Sequence, residues 1–390
     1  MKITDVKTFL VDGGFRPWTF VKIETDEGVT GWGDCTDWGS PEPVVAMVHR
    51  LGRFIIGRDP LNSEAIWWEL SAFCVRHAFG IAHKAIAGID SALWDIRGKT
   101  YGVPVYQLLG GKLRDRLPLY WTHFGTMRVQ FPDVIGQEPL KSPSDLAALC
   151  KEAKGCGYTA VKTNMAVAKA LGFDVPPLNF DFPRDGMRSL IRAVSTQMEF
   201  IGQELGPDVE MALDVAFSFK LADAIRLARA LEPFNMMWLE AETFDFGALR
   251  ALREQTSTPL CIGESLFGTA QFKPLLETYA VSIIMPDLAW NAVTMGKRIA
   301  DLAHAYDVLY APHNCHSPLT TLISAQVSAA IPNFFRLELD VDDVPWRDDI
   351  LTHPFVIERG ALLVPDRPGL GADLIEEELL AHPAKTYTTR

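Results

Sequence analysis

The 390-residue chain lacks several features that define common protein classes. No apolar run reaches the roughly 18 residues of a transmembrane helix, and the first residues lack the apolar stretch of a signal peptide. The six cysteines are scattered without a CxxC pair, so we expect reduced thiols in a cytoplasmic protein rather than a disulfide framework. Basic residues number 37 against 49 acidic ones, which argues against a nucleic-acid partner, and no pattern indicates a membrane partner.

The amino-acid composition is that of a globular protein, with 48% apolar and 22% charged residues. A chain of this length exceeds one ordinary core and suits a barrel with a second, smaller unit. Two runs that alternate apolar and polar positions, ITDVKTFLVD and TFVKIETDEGVTGWG, predict strands, and three runs with helical spacing follow them. We therefore predict an α+β capping domain over residues 1–117.

Further along the chain, apolar runs end repeatedly on a charged or titratable side chain, at intervals of about 25 residues. Such an interval holds one strand, one helix and two loops, the unit of a TIM barrel, whose strands deliver their last residues to one mouth. We predict an α/β fold, a modified TIM barrel over residues 118–340, with residues 341–390 returning to the cap. The six residues at these run ends are Asp214, Glu240, Glu264, Asp287, His313 and Glu338.

Three of these positions predict a metal site. Asp214, Glu240 and Glu264 would place three carboxylates close together, and like charges at that distance need a counter-charge. An all-oxygen set favours a hard cation such as Mg²⁺ over zinc. The alternative for any one of them is a helix N-cap or a solvated loop residue.

Asp287 and His313 should follow adjacent strands. A carboxylate beside an imidazole orients the ring and raises its basicity, so His313 is a candidate general base. His316 is a weaker candidate for the same role, and a histidine that only binds backbone is the plain alternative. A metal site made of Cys315 and the two histidines is not expected, because residues so close in sequence rarely share one ion.

Two further strand residues complete the predicted site. Lys162 closes the apolar run YTAVK, and its ammonium would stabilise negative charge that develops on substrate oxygens. Glu338 would donate a hydrogen bond to an oxyanion or act as a structural acceptor. These residue types together suit the removal of a proton next to a carboxylate, because a metal and an ammonium stabilise the dianion that results.

The order of these residues resembles that of the mandelate racemase branch of the enolase superfamily. The segment SALWDIRGKTYGVPVYQLLGGKLRDRLPLY is similar to that branch's junction between cap and barrel, and TDEGVTGWGD is similar to its N-terminal strand pair. The resemblance covers nearly the whole chain. It implies a cap over a modified TIM barrel, one essential Mg²⁺, a carboxylate substrate and a homo-oligomer.

The chain departs from that family at two positions that often hold a second acid or base. The residue two places after Lys162 is Asn164 where a second lysine is common, and Ala216 stands where galactonate-type dehydratases often have a histidine. We therefore expect His313 to abstract the α-proton and then return it to a departing β-hydroxyl on the same face. His123 is an alternative acid, although a polar loop role is favoured for it.

The sequence thus predicts a dehydratase of a sugar acid, an aldonate or aldarate, that forms a 2-keto-3-deoxy acid. The alternatives are an epimerase, racemase or cycloisomerase of the same superfamily, or an acid-binding barrel without turnover. An insertion over residues 165–184 is expected to form a loop above the mouth that acts as a lid or specificity segment, or else a neutral surface insertion. The expected substrate contacts are Arg16, Asp34, Asn164 and Asn314.

Overall fold

The computed structural model describes residues 1–175 and 186–384. The N-terminal unit is an antiparallel sheet of three strands, β1 (Ile3–Asp12), β2 (Pro17–Thr25) and β3 (Thr30–Asp34). One face of the sheet is covered by α1 (Pro41–Ile55), α2 (Ser63–Phe73) and α3 (Ile81–Tyr101), with a 3₁₀ turn at Val75–His77 and the short α4 (Val105–Leu108). These elements match the strand and helix runs read from the sequence.

The contact between β3 and α3 depends on glycine. A Cβ atom at Gly33 would lie 1.9 Å from the carbonyl oxygen of Gly88, and one at Gly31 would lie 2.1 Å from that of Ala92. No side chain fits at these distances, so the alternating glycines of TGWGD let the strand lie directly on the helix. This contact fixes β3, and with it Asp34 at its end, against α3.

In the part of the chain that the structure describes, eight parallel strands form the barrel. They are β4 (Arg116–Thr122), β5 (Ala160–Asn164), β6 (Glu210–Asp214), β7 (Trp238–Glu240), β8 (Cys261–Ile262), β9 (Ile283–Ile284), β10 (Leu309–Tyr310) and β11 (Leu337–Asp340). Continuous pairing runs from β11 through β4, β5 and β6 to β7, and a second run joins β8, β9 and β10. Single parallel bridges, Leu239 to Leu260 and Tyr310 to Phe334, join the two runs and close the cylinder.

Helices follow the first seven barrel strands and pack around the cylinder. Inside it, Tyr120 and Trp238 meet edge to face at 5.2 Å, and small residues such as Ala160 and Ala212 leave room for them. The helices are α5 (Thr126–Gln130), α6 (Pro132–Ile135), α7 (Pro143–Gly155), α8 (Met187–Leu205), α9 (Leu221–Leu231), α10 (Phe246–Arg253), α11 (Gly268–Leu276), α12 (Leu288–His304) and α13 (Pro318–Ala329), with a 3₁₀ turn at Glu232–Phe234. None of the helices in residues 1–175 and 186–384 is long and apolar enough to cross a membrane.

The C-terminal segment contacts both parts of the molecule. Its hairpin, β12 (Ile357–Glu358) and β13 (Ala361–Leu363), pairs antiparallel with the first half of β4. Beyond it, α14 (Glu376–Ala381) reaches the cap, where Glu376 forms an ion pair with Lys22. The predicted return of this segment to the cap therefore begins with a strand added beside the barrel.

The predicted insertion after β5 differs from an open loop where the structure describes it. Met165–Leu171 is a buried 3₁₀ helix, and Val167 lies in the main hydrophobic core. The 19-residue α8 accounts for part of the longer interval between β5 and β6. Residues 176–184 of the predicted lid lie outside the described residues, so that part stays a prediction.

Candidate active site at the barrel mouth

Three consecutive strands bring the first polar side chains together. The parallel register pairs Asn164 of β5 with Asp214 of β6, and Asp214 with Glu240 of β7. Paired residues on adjacent strands point to the same side, so these three line one wall of the mouth. The amide of Asn164 donates to Asp214 Oδ2 at 2.7 Å, so Asn164 holds a predicted metal ligand in place.

Lys162 lies at the centre of the site. Its Nζ is 2.8 Å from Glu240 Oε2 and 2.9 Å from Glu338 Oε1, and all three side chains are buried. Burial opposes the charge of Lys162, but Glu240 and Glu338 raise its pKa well above the ordinary value. Burial would raise the pKa of Glu338, but Lys162 and His313 hold it far below the ordinary value, so Glu338 is ionised and accepts hydrogen bonds.

The positions of Lys162 and Glu338 on their strands differ from the prediction. Lys162 is the middle residue of β5 and Glu338 is the second residue of β11, whereas the sequence analysis placed both at strand ends. Their runs continue past the charged residue, and the inward face of each strand supplies another polar group two residues later. These groups are Asn164 and Asp340.

The three predicted metal ligands are adjacent, but each carboxylate contacts a neighbour of its own. Asp214 accepts from Asn164 and, at 2.7 Å, from the backbone N–H of Ala216; Glu264 Oε2 lies 3.1 Å from His313 Nε2. Their oxygen atoms are not all within 4.8 Å of one another.

Glu240 supplies the test of whether a cation fits this wall. Its Oε1 atom is buried and has no hydrogen-bond partner. Burial, and then the charge of Asp214, raise the pKa of Glu240 well above its ordinary value, although Lys162 acts in the opposite direction. A buried oxygen without a partner beside two more carboxylates fits a hard divalent cation such as Mg²⁺.

A fourth carboxylate was missed by the sequence analysis. Glu242 is 4% exposed, and its Oε1 accepts from the backbone N–H of Gly263 at 2.6 Å. Burial and the nearby Glu264 raise the pKa of Glu242 to about 8. The signal was present in the sequence, since Glu242 follows Glu240 at the two-residue spacing of one strand face.

The predicted pair of Asp287 and His313 forms, with a third member. Asp287 Oδ2 accepts from His313 Nδ1 at 2.7 Å and from His316 Nε2 at 2.6 Å. Burial opposes the charge of Asp287, but the two histidines hold its pKa far below the ordinary value. Burial would lower the pKa of His313, but Cys315, Glu264 and the other nearby acids raise it well above the ordinary value.

Among the described residues, these three form a group whose ligand atoms lie within 4.8 Å of one another. Their nitrogen and oxygen atoms already bind each other, so hydrogen bonding accounts for the cluster without an ion. Asp287 binds His313 and His316 through one oxygen, so its orienting effect is divided between two rings.

Arg16 is brought to the site from the cap, by the loop between β1 and β2. Its guanidinium donates to Cys315 Sγ at 3.2 Å and lies 3.2 Å from His316 Nδ1. Cys315 Sγ lies 3.0 Å from His313 Nε2. The cap thus contacts the histidine cluster, although no sequence pattern predicted that Cys315 would lie between the two.

The other predicted substrate contacts have structural partners. Asn314 donates through its backbone N–H to Glu338 Oε2 and through its amide to the Glu338 carbonyl, both at 2.8 Å. Asp34 is fully buried and accepts from Thr36, Ser317 and Thr320. A substrate contact for Asp34 is therefore not supported, because its carboxylate joins the end of β3 to the start of α13.

Comparisons with known proteins agree with this architecture. The family model for the mandelate racemase / muconate lactonizing enzyme N-terminal domain matches residues 14–110, and the enolase C-terminal domain-like model matches residues 145–378. A protein named D-xylonate dehydratase from Haloferax volcanii is 33% identical, over 99% of this chain and 90% of its own length. A protein named D-galactonate dehydratase from Variovorax paradoxus is 32% identical, over 99% and 95%.

A solved structure with the same fold comes from Burkholderia xenovorans. It is described as a candidate L-alanine-DL-glutamate epimerase bound to magnesium and fumarate, with a TM-score of 0.91 and 34% identity over 99% of this chain and 97% of its own. Both domain models match in order, and their spans include every residue of the site described above. The chain belongs to the mandelate racemase branch of the enolase superfamily.

Proposed function

We propose that the chain is a Mg²⁺-dependent hydro-lyase that dehydrates a sugar acid, an aldonate or aldarate, to a 2-keto-3-deoxy acid. The observation that carries this proposal is the contrast between His313 and Asn164. His313 is held by Asp287, whereas the position of a second base is taken by Asn164, which binds Asp214. The relatives named as dehydratases support the same reaction class.

Asp214, Glu240 and Glu264 are proposed to hold the metal. Bound there, Mg²⁺ supplies positive charge that offsets the negative charge gained by the substrate carboxylate when the adjacent carbon is deprotonated. The magnesium-bound structural relative supports this cofactor. Lys162 adds a fixed ammonium on the neighbouring strand, where burial strengthens its electrostatic effect.

The chemical step begins with proton transfer to His313. The imidazole Nε2 takes the proton from the carbon next to the substrate carboxylate, while Asp287 holds Nδ1 and keeps the ring oriented. The electron pair forms the double bond to the β-carbon, and the β-hydroxyl leaves as water after it has gained a proton. The enol that remains converts to the 2-keto acid.

An epimerase is the second candidate, because the Burkholderia relative is described as one. Epimerisation requires proton exchange on both faces of one carbon, and the amide of Asn164 cannot take up a proton. A barrel that binds acids without turnover is a third candidate. Binding without turnover does not require a buried histidine that Asp287 orients through Nδ1 and that Cys315 contacts at Nε2.

The test is a screen of the purified protein with Mg²⁺ against a panel of mono- and diacid sugars that includes D-xylonate and D-galactonate. The formation of 2-keto acid is followed with semicarbazide. We expect one or more acids to be dehydrated, and we expect EDTA or the substitution His313→Asn to abolish the signal. His353→Asn is the matched control, since His353 is exposed and lies in the segment that follows the last barrel strand.

The alternatives have their own signatures in the same samples. Deuterium that enters recovered substrate from heavy water, without keto-acid formation, would favour an epimerase. Binding of an acid without exchange or turnover would favour the non-catalytic barrel. A homo-oligomer stays a prediction, which sedimentation velocity of the same protein would test.

A further inference from the structure

A second imidazole–carboxylate pair lies at the barrel mouth. His123, directly after β4, has its Nδ1 2.7 Å from Asp340 Oδ1, at the end of β11. The two strands are neighbours, and their register pairs Thr122 with Asp340. Among the described residues, Nε2 of His123 has no hydrogen-bond partner, and 18% of its side chain is exposed.

The direction of the side chains on β11 places this pair near the reacting groups. Side chains two residues apart on a strand share a face, and Asp340 follows Glu338 by two residues. Glu338 points into the site, where it binds Lys162. Asp340 therefore also points into the barrel, roughly 7 Å nearer the mouth. A substrate whose carboxylate lies at Lys162 would extend its hydroxyl-bearing carbons toward this pair.

The cap holds a loop over the pair. The ring of Phe15 contacts His123 edge to face at 6.0 Å, and the Arg16 guanidinium lies 4.3 Å from the centre of the Phe15 ring. Gly14 makes this close approach possible, because a Cβ there would lie 2.5 Å from Val344 and its φ is +81°.

Arg16 joins the two imidazole–carboxylate pairs electrostatically. Burial opposes its charge, but Cys315 and then Asp340 raise its pKa. The same side chain donates to Cys315, beside His313. Arg16 contacts Cys315 beside one pair and the Phe15 ring beside the other, which places both pairs around a shared space at the mouth.

Resting on the proposed function, we infer that His123, oriented by Asp340, is the acid that protonates the departing β-hydroxyl. His313 takes the α-proton, the C–H electron pair becomes the new carbon–carbon double bond, and the β-carbon–oxygen bond breaks. The oxygen takes that bonding pair together with the proton on His123 Nε2, and water leaves. Asp340 balances the positive charge of the ring before the transfer, and solvent returns His313 and His123 to their starting states.

The first variant is His123→Asn, because asparagine tolerates the positive φ of +47° at this position. It is tested with Mg²⁺ and the acid from the screen that the wild-type protein dehydrates fastest. We expect kcat for dehydration to fall about 10²- to 10⁴-fold, the usual contribution of a general acid. Asp340→Asn keeps an acceptor for Nδ1, and we expect a smaller loss of about tenfold.

Two readouts separate an acid from a residue that only supports the fold. In heavy water, His123→Asn should still exchange the substrate's α-hydrogen for deuterium, because His313 is intact. An analogue with fluorine in place of the β-hydroxyl needs no proton to lose fluoride, so its elimination should fall less than threefold. His353→Asn should match the wild type in both assays.

The results distinguish this inference from the proposed function. Dehydration by His123→Asn within threefold of the wild-type rate would overturn the role of His123 and leave His313 as both base and acid. Equal losses of dehydration, α-exchange and fluoride elimination would also overturn it, since they indicate a damaged site. A wild-type protein that dehydrates no acid in the panel would overturn the proposed function itself.

Discussion

The two halves of the barrel mouth differ in how their buried carboxylates are compensated. The acidic half, Asp214, Glu240, Glu242 and Glu264, leaves a buried carboxylate oxygen without a partner and has raised pKa values at Glu240 and Glu242. The histidine half, Asp287, His313 and His316, satisfies its carboxylate with two ring nitrogens, and the pKa of Asp287 is lowered.

The difference indicates what each half requires from outside the protein. The histidine half is complete in itself, because each donor that contacts Asp287 is part of the same chain. The acidic half becomes electrostatically stable only with added positive charge, whether protons or a cation. Under the proposed function, the barrel would hold a preformed base opposite a site that the metal completes.

Lys162 contacts both Glu240 and Glu338, so its removal should have the largest effect on the site. Lys162→Met would leave two buried carboxylates without their cation, which costs about 3–5 kcal/mol of the free energy of unfolding. Urea denaturation would measure the loss, and activity should disappear with it. Lys154→Met, on an exposed helix face, is the control, and an equal loss there would contradict this account.

The acidic half should make stability depend on pH in metal-free protein. The folded pKa of Glu242 is about 8, above its ordinary value of 4.5, so the folded state favours the protonated form. This contribution is complete below pH 4.5 and is lost as the pH rises through 8, by at most about 5 kcal/mol.

Glu242→Gln keeps an acceptor for the Gly263 N–H and removes the titration. In EDTA, we expect the variant to lose less stability than the wild type between pH 5 and pH 9 in urea titrations. The exposed Glu138→Gln is the matched control. Parallel curves for the wild type and Glu242→Gln would show that the acidic half does not titrate as described.

The smallest effect on kcat is expected for a substitution in the histidine half. His316 shares the Asp287 oxygen that holds His313, so His316→Asn should change kcat less than tenfold. Asp287→Asn should lower kcat by about 10- to 100-fold, because outer partners of a functional histidine have effects of that size. Both variants are compared with the wild type by steady-state kinetics, with the acid that the wild-type protein dehydrates as the substrate. The reverse order would indicate that His316, rather than His313, is the proton acceptor.

The regular repeat made much of this molecule predictable. An interval near 25 residues indicated the barrel, and strand ends then gave the approximate positions of Asp214, Glu240 and Asp287. The alternation and helical spacing of the first residues likewise indicated the cap. These predictions succeed because local patterns repeat in every unit of the fold.

Contacts that depend on closure of the fold were not predictable. His123 and Asp340 are separated by 217 residues and meet only because β11 pairs with β4. Arg16 reaches Cys315 across 299 residues, because the cap loop rests on the barrel. Asp34 was misplaced for the same reason, since the sequence does not reveal that α13 starts beside β3.

The pairing of the cap's first strand with the end of the chain has a consequence during synthesis. The backbone N–H of Asp12 donates to the carbonyl of His382, and Val11 bridges to Pro383. The two partners are about 370 residues apart in the sequence. A ribosome adds about 5–20 residues per second, so the segment that pairs with β1 is synthesised roughly 20 to 75 seconds after β1. Until then, the last residues of β1 lack the backbone partners that His382 and Pro383 supply, and an unpaired edge of this kind can pair with another chain.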